Sequence, residues 1–480
     1  MPGLDVTRLT AMEIARLVAA REISPVEVTE AYLERSERLD PGLHAYITLC
    51  CDEALQAARE AERAVLRGER LGPLHGVPVA VKDQFQTRGL RTTGGSRILA
   101  DWVPMEDATA VARLRQAGAI LLGKLNMTEF ASGLGDPFRY GDPHNPWDLE
   151  RSAGDSSTGS AVAVAAALCA ASLGEDTGGS ARFPASLTGI VGLRPTYRRV
   201  SRYGLLPVCW SMDTAGPMTR TVADAALLLQ VIAGYDAQDP LSSRRPVPDY
   251  LKALKNERAG LRIGIVRELT APGAVHPEVL QAVRQAARHL ASLGAVVEEV
   301  SLPLLEEAGA AMAALMGSDA AFVYREWLQS RPHDLGPTLR RGWIAASLLP
   351  GPTLHKAARI RALLRREWLA LLQRYDVLLS PTTLAPAGKL EYASCLQSRE
   401  EAERLFAWRL GPTMETGIAA IPASFAGTPA ISVPCGFSAE GLPIGLQIMA
   451  GPFQEETLFQ VAAAYERTTP WHTVSISART

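Results

Sequence analysis

Between Ala161 and Leu173 the chain runs through thirteen residues of mostly alanine, valine and leucine, and a turn of small residues holding serine stands at each end. A membrane-crossing helix needs about 20 apolar residues, so this run is expected to lie inside a globular domain as a buried helix and strand. A helix of roughly 13 residues carries the chain about 20 Å. About 6 residues of strand bring it back by the same distance. The turns Ser152–Ser160 and Gly174–Arg182 can therefore meet, and Ser156 and Ser180 can finish side by side.

The rest of the chain alternates helical and extended patterns. Thr10-Ala11-Met12-Glu13 and Ser24-Pro25-Val26-Glu27 are capping boxes, the second with proline at the first helical position. They make residues 1–60 helical packing material. Val77, Val79 and Val81 alternate as in a strand. A helix from about Asp107 to Gln116 leads through Gly118 to a strand over Ile120–Leu122. Leu261–Val266, Pro277–Leu293 and Val296–Val300 read as strand, helix and strand. Loops are expected at Asp236–Asp249, Leu349–Thr353 and Pro381–Gly388. This alternation predicts an α/β fold with a mixed, largely parallel sheet between helices. Without a clear linker or repeat, 1–480 is expected to form one domain, with 65–235 as its core and 255–480 as the remainder.

With a net charge of −2 over 480 residues, no electrostatic pull toward nucleic acid or an anionic membrane is expected. The six cysteines, Cys50, Cys51, Cys169, Cys209, Cys395 and Cys435, include no CxxC pair. They read as buried hydrophobes rather than a zinc site or disulfide framework, and no metal is expected. Residues 1–21 mix charges with apolar residues and lack a secretory core, so the expected location is the cytoplasm.

The chemistry concentrates in two places. Gly178 and Gly179 precede Ser180. Successive N–H groups without Cβ atoms can point into one concavity and hold an oxyanion; a plain tight turn is the bland alternative. Lys82 ends the apolar strand. Most lysines there snorkel outward, but a buried lysine loses its proton more readily and can act as a base. Other motifs carry less. Gly118–Lys124 imitates a phosphate loop but is followed by Leu125 instead of Ser or Thr. The eight histidines, His289 and His472 among them, lie in no chemical context. Asp176 and Arg182 flank Ser180 as a brace or a solvated pair.

Taken together, these stretches resemble the amidase signature family. Its block GGSSGGSA is similar to Gly154-Asp155-Ser156-Ser157-Thr158-Gly159-Ser160-Ala161, DTGGSxR to Asp176–Arg182, and GVPxxxKD to Gly76–Asp83. Asn126–Phe130, Gly192–Thr196, Arg199–Gly204, Gly216-Pro217, Asp376–Thr382 and Gly441–Gln447 extend the likeness over nearly the whole chain. The resemblance implies a serine–cis-serine–lysine triad and no cofactor. Ser180 would be the nucleophile that forms an acyl-enzyme, Ser156 the relay on a cis peptide bond, and neutral Lys82 the base. Thr177, Gly178, Gly179 and Ser180 would supply oxyanion N–H groups.

The family's glycine before the cis-serine is here Asp155. Its carboxylate is expected to cap the following helix or else to favour charged Lys82. The resemblance implies a small-molecule amide as substrate, including anilides and chemically similar carbamates or esters. Met127, Cys209, Trp210, Tyr140 and loops between about 310 and 420 are expected to shape the pocket, favouring an apolar acyl or aryl group. Pairing with a second copy is left open. The alternative is the component of a tRNA-dependent amidotransferase that releases ammonia from glutamine. Those chains carry a run like SNLARFDG where this one has Ser318–Trp327. A third option is a catalytically silent relative.

Overall fold

Both capping boxes form: Thr10 and Ser24 cap the helices Ala11–Ala19 and Pro25–Leu43, with Glu13 and Glu27 reaching back to the cap N–H groups. The computed structural model describes residues 5–132, 136–255, 260–390, 417–474 and 476. Cys395 and the stretch 391–416, part of the expected specificity loops, lie outside them.

Eleven strands make one sheet: β1 (Tyr46–Leu49), β2 (Pro78–Lys82), β3 (Ile120–Leu125), β4 (Ala171–Glu175), β5 (Val191–Arg194), β6 (Ala215–Thr219), β7 (Arg262–Val266), β8 (Val296–Val300), β9 (Val377–Pro381), β10 (Ala430–Phe437) and β11 (Pro443–Ala450). Their order is β1-β3-β2-β4-β6-β5-β10-β11-β9-β7-β8. The α/β class is as expected and the sheet is mixed, but it is not largely parallel. The pairs β2–β3, β2–β4, β7–β8 and β7–β9 are parallel, while the other six pairs are antiparallel. Helical crossovers give the parallel pairs. The β10–β11 hairpin reverses the chain directly, whereas β5 and β6 pair antiparallel across the long connection from Arg194 to Ala215.

Three further expectations change. Residues 1–60 are not all helical, since β1 adds an antiparallel edge to β3. The loop foreseen at Leu349–Thr353 ends sooner, because the helix Gly351–Arg374 starts with proline in its first turn. The helix inside the alanine-rich run is also shorter, Thr158–Ala165, and the chain bends at Ala167 with φ +55° before entering β4. All but one of its positions are buried. Uniform burial leaves no amphipathic period to mark where such a helix stops.

The centre of the sheet positions the chemistry. β2 and β4 run parallel, with Val81 opposite Leu173. Lys82 and Glu175 therefore emerge together at the carboxyl edge, where open α/β sheets bind ligands.

Candidate active site

Lys82 is fully buried, at 0% exposure. Its Nζ lies 2.8 Å from Ser156 Oγ and 3.4 Å from Glu175 Oε2. Burial pulls the ammonium pKa below its ordinary value, although Glu175, Asp176 and Asp213 pull the other way. The Asp155–Ser156 peptide bond is cis. Ser156 is fully buried, and the Ser157 N–H donates to the Ser180 carbonyl at 3.2 Å. The two serine-bearing turns thus meet, and Ser180 itself is half-buried.

The loop after β4 is held from beneath by Asp176. Its carboxylate accepts from the Gly179 N–H at 2.9 Å, from Arg182 Nε and Nη2 at 2.9 Å and from Arg194 Nη1 at 3.0 Å. Burial alone would raise this carboxyl, but the two guanidiniums hold it well below the usual carboxylate range. Arg182 continues to Gln447 Oε1 on β11 at 2.5 Å and to Ser424 Oγ at 3.0 Å. Arg194 on β5 reaches Met212 O at 2.8 Å. Asp176 and Arg182 are therefore a buried brace, not a solvated pair. Of the expected oxyanion donors, Gly179 already gives its N–H to this brace. Thr177 and Gly178 give theirs to no partner among the described residues.

Gly179 has φ +118°, and a Cβ there would stand 2.6 Å from Ala420 Cβ. Gly179→Ala is expected to cost about 1–3 kcal/mol for the strained backbone alone and to displace the loop carrying Ser180. A urea midpoint and an amide turnover rate both equal to those of the unaltered chain would contradict this.

Asp155 is half-buried. The following helix takes Ser157 as its N-cap without a side-chain capping bond from that residue, whose Oγ instead meets the Glu175 backbone. The carboxylate within reach of Lys82 is Glu175, not Asp155. Sequence reasoning missed it, together with Asp213. Thr177 Oγ1 joins these two acids, 2.5 Å from Glu175 Oε1 and 2.7 Å from Asp213 Oδ1. Asp213 stands three residues before Gly216-Pro217, which gave it a weak signal.

Of the expected pocket residues, Met127 is buried in an apolar cluster with Ala131, Val208 and Met316. A Cβ on Gly178 would meet Met312 Cε at 2.7 Å and Met316 Sδ at 3.6 Å, so methionines wall the space beside Ser180. Cys209 is buried, and burial pushes its thiol up to about 12. Trp210 is 56% exposed, with Arg202 stacked on its ring at 4.9 Å. Tyr140 donates to Ser96 O at 2.9 Å. Lys124, the end of the imitation phosphate loop, is buried in β3 and engaged by Phe85 O, Thr92 Oγ1 and Asp83. No group of three or more histidine, cysteine or acidic residues among the described residues could hold a metal ion. No helix among them is long and apolar enough to cross a membrane.

The sequence pattern of the Amidase family matches residues 27–459. A glutamyl-tRNA(Gln) amidotransferase subunit from Moorella thermoacetica is 42% identical, with 98% of each chain covered. Among solved structures, its counterpart from Thermotoga maritima superposes with a TM-score of 0.80 at 33% identity, covering 98% of this chain and 97% of that one. A bacterial aryl acylamidase of the amidase signature enzymes gives a TM-score of 0.88 at 28% identity, covering 98% and 99%.

Proposed function

The chain belongs to the Amidase family, its relatives act on amide C–N bonds, and on that premise we propose that it hydrolyses such bonds through an acyl-enzyme on Ser180. The observation that carries this reading is a lysine with no exposure, 2.8 Å from the hydroxyl of Ser156, beside the loop of Ser180. Ser180 Oγ attacks the carbonyl carbon while its proton passes to Ser156, whose own proton passes to neutral Lys82. The Thr177 and Gly178 N–H groups receive the oxyanion. The proton returns through Ser156 to the leaving nitrogen, the C–N bond breaks, and water, deprotonated by the same relay, releases the acid. A fluorophosphonate serine probe is expected to label position 180, and labelling elsewhere would reject the scheme.

Two substrate readings follow. The first is glutamine, with the released ammonia passed to a partner chain; the names of the relatives from Moorella thermoacetica and Thermotoga maritima support it. The second is a stand-alone amidase for an apolar acyl or aryl amide, favoured by Met312 and Met316 beside Gly178. Glutamine carries two charges that need partners when buried, and methionine supplies none. The run Ser318–Trp327 also lacks the likeness to SNLARFDG. Assaying the purified chain for ammonia from glutamine and for nitroaniline from acyl nitroanilides separates them. Glutamine turnover with no anilide turnover supports the first reading, and the reverse supports the second.

A further inference from the structure

Glu175 and Asp213 are fully or nearly fully buried acids bridged by one hydroxyl, that of Thr177. A hydroxyl owns one proton, so it donates to one of the two carboxyls only. Both contacts are of hydrogen-bond length, at 2.5 and 2.7 Å, so the other needs a proton from the carboxyl side. Backbone donors indicate which acid that is. Asp213 accepts from the Val208 N–H at 2.9 Å and from the Cys209 N–H at 2.9 and 3.0 Å. Such bonds stabilise a carboxylate. Glu175 has only Thr177 on one oxygen and Lys82, at 3.4 Å, on the other.

We propose that Glu175 is the positioning residue that keeps Lys82 uncharged. Its Oε1 carries a proton donated to Thr177 Oγ1, Thr177 donates to ionised Asp213, and the Oε2 facing Lys82 is a carbonyl oxygen. The proposal rests on Lys82 being the base. The charged pair and the neutral pair of Lys82 and Glu175 hold the same number of protons and differ only in where the shared one sits. Burial disfavours two separated charges there, and the Asp213 charge one hydroxyl away disfavours a second anion. Burial raises both carboxyls; a charge on Glu175 opposes ionisation of Asp213, and the Asp176 charge opposes ionisation of Glu175. The other groups facing the pair are Asp176 in the same loop, Arg194 from β5, Cys209 beside Asp213, and the Tyr324 and Tyr197 phenols. Asp176 and Arg194 are paired to each other.

The test compares Glu175→Gln, Asp213→Asn and the double variant on whichever amide the chain turns over. Glutamine imitates a protonated glutamate, so the acid limb of kcat/KM in Glu175→Gln is expected to stay within about 0.3 pH unit of the unaltered chain. In Asp213→Asn, Thr177 is free to donate to Glu175, which ionises and holds the proton on Lys82. The limb is then expected to rise by about one unit or more, and adding Glu175→Gln to bring it back. A limb that falls by a unit or more in Glu175→Gln means an ionised Glu175 and overturns the proposal. So does a double variant that keeps the shift of Asp213→Asn. A second readout needs no activity: the infrared spectrum at neutral pH is expected to lose a carboxylic-acid C=O stretch in Glu175→Gln. No loss overturns the proposal even where Asp213→Asn fails to fold. Should Lys82→Met keep its rate, the reading of Lys82 as base fails, while the infrared result still reports the protonation of Glu175.

Discussion

Ser180→Ala is expected to lower amide turnover by on the order of 10⁶-fold, the scale seen when the nucleophile of a serine hydrolase is removed. Alanine has no atom that can form the acyl bond, and no neighbour can take over. Ser156 is fully buried and held by Lys82 Nζ, so it cannot reach a carbonyl placed at the loop. Lys82→Met, similar in length and apolar, is expected to lose less, about 10²–10⁴-fold, the usual contribution of a general base. The two losses are expected not to add, because in the proposed scheme each side chain works through the other. A double variant no slower than Ser180→Ala is the matching result. Mass spectrometry supplies a second check: an acyl adduct accumulates on the unaltered chain with a slow substrate and is absent from Ser180→Ala. A Ser180→Ala protein with near-normal turnover would remove serine 180 from the chemistry.

How far the sequence led can be judged from these residues. Lys82 was legible because valines at 77, 79 and 81 set up a strand that ends in a lysine, and Gly178-Gly179-Ser180 because glycine pairs at a strand end change the backbone itself. The neighbour of Lys82 was not legible in the same way. Glu175 sits 93 positions away, and only the parallel pairing of β2 with β4 brings the two ends together. Asp155 carries the stronger local signal, because it is adjacent in sequence to Ser156. The antiparallel half of the sheet was missed for a similar reason. β5 pairs with β10 across more than 200 residues, and neither strand carries a local sign of its partner's direction. β1, with four residues, was lost between two much longer helices, Pro25–Leu43 and Cys51–Arg67. Local propensity and turn chemistry can be read along a chain. Which carboxylate faces which lysine depends on register between distant strands.

Asp176 is the carboxylate that two buried guanidiniums, Arg182 and Arg194, share. Asp176→Asn is expected to destabilise the fold by about 3–5 kcal/mol, the cost of removing one partner from a buried ionic network. The reason is that Arg182 and Arg194 are both fully buried and both meet this one carboxylate. Asparagine keeps an acceptor for the Gly179 N–H but leaves two guanidiniums without a countercharge, and Gln447 and Ser424 offer only dipoles. The effect carries a pH signature. The folded carboxyl lies well below its ordinary value, so the unfolded chain binds the proton first as pH falls. The stabilisation is complete above the unfolded pKa of about 3.9 and is lost as pH drops toward the lower folded value. Urea unfolding should therefore separate the variant from the unaltered chain widely at pH 7, and the gap should narrow below about pH 4. A variant as stable as the unaltered chain at neutral pH would mean that the guanidiniums find their charge elsewhere. The loop presenting Ser180 would then be held by the hydrogen bonds of Arg182 to β11 and the 421–426 helix rather than by Asp176.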